Sequence, residues 1–154
     1  TLELLSEHIG KKTGGPFSAA IFEDKTGVLL SIGVNLVVPL NNSTLHAEMV
    51  SIQLGQLAIR DYSFRNKGNY SIYASAQPCA MCCGAIPWAG LRKLIFGATA
   101  KDTESILGFD EGPIHTMWKQ EYHNREIGIK EEILREDAID IMKRYSGIVY
   151  NGKS

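Results

Sequence analysis

The three cysteines of the chain, Cys79, Cys82 and Cys83, lie within five residues, directly behind Pro78. Two thiols at this spacing occur in redox enzymes, in zinc sites and at haem attachments, so the pair alone does not decide the chemistry. A haem attachment needs a histidine where this chain has Cys83, and a thioredoxin-like redox pair normally follows the first strand of its fold. A structural zinc site needs two further ligands nearby, and the chain has no other cysteine. The thiols therefore need a partner from elsewhere in the sequence.

The partner is the motif HAE at residues 46–48. His46 begins one predicted helix while Cys79 and Cys82 begin another, and a sheet flanked by these helices can bring both starts to one edge. One nitrogen and two sulfurs leave the fourth position of a tetrahedral zinc open, which is typical of catalytic zinc because structural sites are closed by four protein ligands. Glu48 lies on the same first turn as His46. It can therefore take the proton of a bound water, whose pKa zinc lowers to about 7.

Each of these elements alone has an ordinary structural explanation. A lone histidine is more often a satisfied core or surface group, and cysteines serve as small buried hydrophobes. Their joint occurrence outweighs this explanation, because it matches the pattern H-x-E followed by P-C-x-x-C that is typical of zinc deaminases. Positions three and four residues along a helix both lie near the face of the first, so helix geometry does not choose between Cys82 and Cys83. The pattern selects Cys82, and we interpret Cys83 as a packing residue.

The elements that must position these residues predict a mixed α/β domain, with a β-hairpin followed by strands that alternate with helices. A turn signal, DKTG, separates the two hairpin strands, and Pro78 suits the first turn of a helix. The predicted strands are 17–24, 28–37, 70–76, 93–98 and 127–133. The predicted helices are 2–11, 45–61, 78–89, 101–107 and 135–145. The helical period of 45–61 is carried by Ala47, Val50, Leu54, Leu57 and Ala58.

Composition indicates one globular domain, residues 1–154, since there is no internal repeat or linker. The net charge is −1 and the basic residues are scattered, whereas a dedicated nucleic-acid binder concentrates positive charge on one face. This favours a small-molecule substrate and makes nucleic acid unlikely as a partner. No apolar run approaches the roughly 20 residues that span a bilayer, and no signal peptide is recognisable. The odd, clustered cysteines do not resemble a disulfide framework, so we expect a cytoplasmic protein.

With these motifs in place, the chain resembles the cytidine-deaminase-like zinc deaminases and, among them, the bacterial guanine deaminases. The zinc motif is shared by deaminases of cytidine, cytosine, transfer-RNA adenosine and guanine, so it specifies chemistry and not substrate. The segment GFDEGP together with Trp88 is similar to the guanine branch, in particular to a subgroup also reported to act on triazines such as ammeline. The stretches that carry the resemblance are 14–22, 33–35, 46–48, 75–90, 107–113 and 145–152.

The resemblance implies a three-layer α/β fold of the cytidine-deaminase type, in which helices flank a mixed five-stranded sheet. It implies Zn²⁺ held by His46, Cys79 and Cys82, a proton-carrying Glu48, and a homodimer. The substrate contacts that it implies are Asn35, Ala47, Trp88, Glu111 and Tyr150.

The implied substrate contacts have chemical reasons. The amide of Asn35 can both donate and accept, which suits the edge of a purine. Trp88 is expected to form an aromatic wall on which a planar base stacks, and Tyr150 to close a site from the C-terminal segment. Glu111 stands where related guanine deaminases can carry an aspartate, and it is expected to contact the guanine edge.

Two neighbours of these contacts have structural interpretations. We interpret Asp110 as a turn-capping residue and Phe17 as core packing near the floor of the active site.

The implied reaction is hydrolytic deamination of guanine to xanthine, with release of ammonia. Water adds to C2 of the ring while Glu48 protonates a ring nitrogen, and Glu48 then delivers a proton to the departing amino group. Glu111 is a second catalytic candidate, because it can hydrogen-bond that amino group and share the proton transfer.

Three other functions stay open at this stage. A transfer-RNA adenosine deaminase shares HAE and PCAMC, but that branch lacks FDEGP and a more basic surface is expected of it. A guanosine or cytosine deaminase differs only in how the pocket treats ribose or ring size. A zinc-stabilised binding module without catalysis is the non-enzymatic alternative, and Glu48 argues against it, because a structural site has no use for a carboxylate beside an open position.

Overall fold

The predicted hairpin starts the central sheet. In the computed structural model, which describes residues 1–150, the strands are β1 (Gly15–Glu23), β2 (Leu29–Asn35), β3 (Tyr70–Ala76), β4 (Lys93–Ala98) and β5 (Gly128–Lys130). β1 pairs antiparallel with both β2 and β3, whereas β4 pairs parallel with β3 and β5. The sheet is therefore mixed, with the order β2-β1-β3-β4-β5. The predicted five-stranded mixed sheet is confirmed, although β5 is shorter than the predicted 127–133.

Helices cover both faces of this sheet. They are α1 (Leu2–Gly10), α2 (Ala47–Ile59), α3 (Ala80–Ala89), α4 (Ala100–Asp102) with a π-helix (Thr103–Leu107) directly behind it, α5 (Trp118–Asn124) and α6 (Arg135–Met142). A three-residue 3₁₀ turn lies at Phe64–Asn66. One core forms where α2, α3 and α5 pack on the sheet, and a second where α1 and α6 pack on the opposite face. Within residues 1–150, no helix is long and apolar enough to cross a membrane.

Helix α5 was not predicted from the sequence. It is short, and its N-cap residue, Met117, makes no side-chain capping bond. Trp118 and Tyr122, one turn apart, are its buried residues, and the Tyr122 hydroxyl donates to the Cys83 carbonyl at 2.7 Å. Tertiary packing against α3 therefore stabilises this helix more than any local signal does.

Small residues set the contact between α2 and the hairpin. A Cβ on Gly33 would lie 2.1 Å from the Ala47 carbonyl oxygen and 2.6 Å from the Ser51 nitrogen, so the helix backbone rests directly on the strand. The leucines of the apolar period do not form this contact, since Leu54 and Leu57 are exposed and Leu57 is 73% exposed. The apolar period of residues 45–61 thus predicted the helix correctly but not the face that it buries. The helix backbone lies so close to the strand that only small side chains fit between them.

Candidate active site

The starts of α2 and α3 meet beside the carboxyl end of β3, where open α/β sheets commonly bind ligands. His46 is the N-cap of α2 and Cys79 is the N-cap of α3, both with extended backbone. The Cys79 Sγ and the His46 Nδ1 lie 3.4 Å apart. The ligand atoms of His46, Cys79 and Cys82 all lie within 4.8 Å of one another. The structure therefore brings the three predicted ligands together.

The geometry of this group fits a tetrahedral metal. Zinc bonds of about 2.3 Å to sulfur and about 2.0 Å to nitrogen, at the tetrahedral angle, separate the two ligand atoms by about 3.5 Å. The observed separation of 3.4 Å is close to that value. The hydrogen bond between the Cys82 and Cys79 sulfurs lowers the pKa of Cys79 to about 4, whereas the same bond and burial raise the pKa of Cys82. Cys79 is therefore the thiolate of the pair, which is the form that binds metals.

The two neighbouring thiols of α3 have different surroundings. Cys82 is fully buried beside His46 and Cys79. Cys83 instead belongs to the apolar core under α3, and its carbonyl accepts the hydrogen bond from Tyr122. The geometry therefore agrees with Cys82 as the ligand and Cys83 as a packing residue.

Glu48 lies in the first turn of α2 and is buried. Burial, reinforced by the negative Cys79 sulfur, raises the pKa of Glu48 to about 7. A carboxyl group with a pKa near neutrality both accepts and donates protons easily, which is what a general acid–base needs.

Glu111 brings a second buried carboxyl group to the same cavity. Its backbone carbonyl accepts from the Ala80 amide at 2.9 Å, which ties the segment after the π-helix to the start of α3. The Thr103 hydroxyl donates to Glu111 Oε1 at 2.7 Å. Burial raises the pKa of Glu111 to about 7, although the bond from Thr103 opposes this shift.

Asn35 ends β2 and is fully buried. Its Oδ1 accepts from the Val37 amide at 3.3 Å, and its Nδ2 donates to the Tyr150 hydroxyl at 2.6 Å. The Asn35 backbone carbonyl contacts His8 Nε2 at 3.2 Å. The side-chain amide is thus held with its NH₂ group towards Tyr150, which lines the cavity.

The cavity at the centre of these residues has a volume of about 20 Å³. Its lining residues are Phe17, His46, Glu48, Gln77, Cys79, Phe109, Glu111 and Tyr150. This space holds about one water molecule. The Tyr150 ring is one wall of this cavity, with its centroid 5.1 Å from that of Phe109 and 6.1 Å from that of His46. Tyr150 therefore lies in the cavity of its own chain, beside the carboxyl groups and His46.

Trp88 lies away from this cavity. It is 88% exposed and lines a separate groove with Pro113 and Trp118. Nine residues at about 100° each place Trp88 opposite Cys79 on the helix. The prediction that Trp88 forms a wall of the base pocket is therefore not met by the Trp88 of the same chain.

The remaining predicted residues lie close to the site. Ala47 is fully buried between His46 and Glu48 at the start of α2. Phe17 was expected to pack in the core, and it also lines the cavity, with its ring edge-to-face with Phe109 at 5.1 Å. Asp110 Oδ1 accepts from the Gly112 amide at 2.8 Å, as expected of a turn-capping residue.

Two lining residues, Gln77 and Phe109, were not selected from the sequence. Both adjoin residues that were selected, since Gln77 precedes Pro78 at the carboxyl end of β3 and Phe109 stands in the segment GFDEGP. Their position beside these motifs is the sequence signal from which both could have been predicted as lining residues.

Comparison with known proteins assigns the chain to a family. Residues 1–98 match the family model described as the cytidine and deoxycytidylate deaminase zinc-binding region. This match spans well over half of the chain, so the protein belongs to that family. The fold and family expected from the sequence are thus confirmed.

Individual relatives come from two branches of the family. A guanine deaminase structure from Nitrosomonas europaea is 37% identical, with a TM-score of 0.89, and the match covers 94% of this chain and 79% of that one. A related structure in complex with 2,6-diaminopurine is also 37% identical, with a TM-score of 0.90, over 97% of this chain and 81% of that one. The guanine deaminase of Bacillus subtilis is 31% identical over 133 residues, which cover 86% of this chain and 81% of the relative. A tRNA-specific adenosine deaminase of Buchnera aphidicola is 29% identical over 125 residues, which cover 81% of this chain and 75% of the relative.

Proposed function

We propose that the protein is a zinc-dependent aminohydrolase that converts guanine to xanthine and ammonia. The observation that carries this proposal is the pair of buried carboxyl groups, Glu48 and Glu111, that line one cavity with His46 and Cys79. The similarity to guanine deaminases, and to structures that hold 2,6-diaminopurine or 8-azaguanine, supports a purine base as the substrate. Triazines such as ammeline are further candidates for the same pocket.

The metal-binding group is proposed to be His46, Cys79 and Cys82. With three protein ligands and an open fourth position, a Zn²⁺ ion there would supply a water of lowered pKa and an electrophile. Glu48 is two residues beyond His46, so its carboxyl group can take a proton from the nucleophile and pass it to a ring nitrogen. A second proton, from the hydroxyl group added to the ring carbon, then passes through the same carboxyl group to the departing amino group.

Glu111 is proposed to bind the amino edge of the base. Its carboxyl group can accept a hydrogen bond from the exocyclic amine and share the proton transfer to the leaving ammonia. If Glu111→Gln leaves both turnover and substrate affinity unchanged, Glu111 has no part in the site.

The base itself is proposed to be oriented by Asn35 and enclosed by aromatic rings. The Asn35 Nδ2 can donate to a purine acceptor once the Tyr150 hydroxyl leaves it. Phe17 and Phe109 offer ring faces and edges to a planar base. Ala47, at the start of α2, stays a proposed contact.

We also propose that the protein is a homodimer that associates through the outer face of α2 and the end of α3. Leu57 and Trp88 are strongly exposed there. The end of α3 lies beside the segment that follows α2, since a Cβ on Gly90 would be 2.5 Å from the Ser63 hydroxyl oxygen. Burying such large apolar side chains is favourable at an interface between two copies.

The decisive experiment measures ammonia release from guanine, guanosine, ammeline, cytosine and adenine, and from adenosine in a transfer-RNA anticodon stem. We expect guanine to be the best substrate and Glu48→Ala to abolish turnover while zinc stays bound. Activity only on adenosine in RNA would show instead a transfer-RNA deaminase. Bound zinc with no ammonia from any compound would show a binding module.

A further inference from the structure

Thr103, the first residue of the π-helix, contacts the second carboxyl group of the site. Its side chain is fully buried, and its hydroxyl oxygen lies 2.7 Å from Glu111 Oε1 and 2.8 Å from the Ala100 carbonyl oxygen. A hydroxyl carries one proton but can also accept hydrogen bonds. It can therefore donate to an ionised Glu111, or accept from a protonated Glu111 while it donates to Ala100.

The position of Thr103 is set by its neighbours, independently of Glu111. Arg135 of α6 donates to both carboxylate oxygens of Asp102, at 2.8 and 2.6 Å. Asp102 Oδ2 also accepts from the Thr99 amide at 2.8 Å and from the Thr99 hydroxyl at 2.7 Å. The residue immediately before Thr103 is thus fixed to α6 and to the end of β4. The π-helix follows directly. Helices of this type are rare in proteins, and those that occur are often found at functional sites.

Glu111 is consequently held at two points. The Ala80 amide holds its backbone carbonyl, and the Thr103 hydroxyl holds one oxygen of its carboxyl group. With only the first contact, the glutamate side chain could rotate about its own bonds. The second contact restricts that rotation within a cavity that also contains Glu48 and His46.

We propose that Thr103 is a positioning residue for the reaction, which orients the Glu111 carboxyl group towards the substrate through the hydroxyl hydrogen bond. This inference rests on the proposed function, because it requires Glu111 to act on the bound base. It assigns to the π-helix, and to the Arg135–Asp102 pair behind it, a role in the site as well as in the fold.

If Thr103 had only a structural role, it would be equally buried, and the Ala100 carbonyl alone could accept the hydrogen bond of its hydroxyl group. Two substitutions separate these cases, because each removes one half of the side chain. Thr103→Val keeps the shape and loses the hydroxyl, whereas Thr103→Ser keeps the hydroxyl and loses the methyl group. A structural role predicts that stability and activity fall together, and a positioning role predicts that activity follows the hydroxyl.

The test is a double-mutant cycle between Thr103→Val and Glu111→Gln, with kcat, KM, zinc content and thermal stability measured for each variant. We expect Thr103→Val to lower kcat/KM by about tenfold to a hundredfold, the effect expected of a lost hydrogen bond to a buried carboxylate. Thr103→Ser should stay within about threefold of the wild type, even if it is less stable. In the Glu111→Gln background, Thr103→Val should change kcat/KM by less than about twofold. Zinc content should not change in any variant.

Equal losses in the valine and serine variants, or additive effects of Thr103→Val and Glu111→Gln, would overturn the proposal. If the valine variant does not fold, Thr103→Ala replaces it in the same cycle. The cycle uses whichever base the wild type deaminates. If that base is not guanine, the proposed substrate is wrong, but the proposed role of Thr103 is still tested. A wild-type protein that deaminates no base overturns both.

Discussion

The Tyr150 hydroxyl accepts a hydrogen bond from the Asn35 side-chain amide at 2.6 Å, so a residue near the end of the chain occupies the amide proposed to bind the base. The Tyr150 ring also takes the space between Phe109 and His46. If the base binds to Asn35 as proposed, it must break this hydrogen bond and displace this ring.

Replacing Tyr150 with phenylalanine removes the competing hydrogen bond and keeps the ring. We expect Tyr150→Phe to lower the KM for guanine by about twofold to tenfold, since a neutral hydrogen bond contributes about 0.5–1.5 kcal/mol. Steady-state kinetics and titration calorimetry with 8-azaguanine measure this change. Tyr145→Phe is the matched control, because that hydroxyl donates to the Ile148 carbonyl and not to Asn35. A KM that is unchanged or higher in Tyr150→Phe would show that the hydroxyl does not compete with the base.

The adjacent thiols Cys82 and Cys83 should differ in metal binding. Cys82→Ser should reduce bound zinc to well below one per chain, because it removes one of the three proposed protein ligands. Cys83→Ser should keep its zinc and lose about 1 kcal/mol of stability, the scale of the penalty for burying a hydroxyl in an apolar core. Elemental analysis of the purified variants counts the zinc, and denaturant unfolding measures the stability. Zinc lost from the Cys83 variant instead would reverse the assignment.

The proposed dimer depends on exposed apolar residues of α2 and α3. Leu57→Glu should convert the protein to a monomer, because it places a charge on a face that would be buried between two copies. Val28→Glu is the control, since Val28 is 60% exposed but lies in the hairpin turn. Light scattering at several concentrations measures the mass. A wild-type monomer, or an unchanged mass for Leu57→Glu, would contradict the proposed interface.

Much of the metal-binding group was predictable because its residues stand at helix starts, which local sequence signals mark. His46 and Cys79 both stand at N-caps, and the sequence around each one carries helix-start signals. Once both helices were expected beside one sheet, the convergence of their starts followed from topology. Glu48 could be predicted as a site residue from its position alone, two residues beyond His46.

Other features depend on packing that no local pattern reports. The face that α2 buries is decided by close approach at Gly33, so Leu57 points outward despite its apolar period. Trp88 belongs to a motif rich in site residues, but its position along α3 turns it away from them. Thr103 contacts Glu111 only because the π-helix and Asp102 place it there, and nothing in its immediate sequence indicates that contact.

The Asp102–Arg135 pair should stabilise the protein in a pH-dependent way. The hydrogen bonds from Arg135 hold the pKa of Asp102 well below its usual range. Because the folded value lies below the unfolded value of about 3.9, the ionised pair contributes fully above about pH 4, and this contribution is lost as the pH falls towards the folded pKa. Asp102→Asn should therefore lower the free energy of unfolding by about 1–3 kcal/mol at pH 7, and by less at pH 3.

Urea unfolding of both proteins at several pH values measures this difference. Asp140→Asn is the control, because its ion pair with Lys143 is exposed and should contribute less than about 1 kcal/mol. A difference between wild type and Asp102→Asn that stays constant down to pH 3 would mean that Asp102 is not stabilised as an anion.

The close approach of α2 to the hairpin should make Gly33 intolerant of any side chain. In Gly33→Ala, the added Cβ would lie 2.1 Å from the Ala47 carbonyl oxygen, a backbone atom that cannot move unless the helix shifts. We expect a loss of about 3 kcal/mol or more, together with lower activity, because α2 carries His46 and Glu48. Gly84→Ala is the matched control, since its Cβ meets nothing within 4 Å and alanine favours a helix interior by about 1 kcal/mol. Differential scanning calorimetry measures the thermal stability of the two variants. Equal stabilities would show that α2 does not rest on the strand at Gly33.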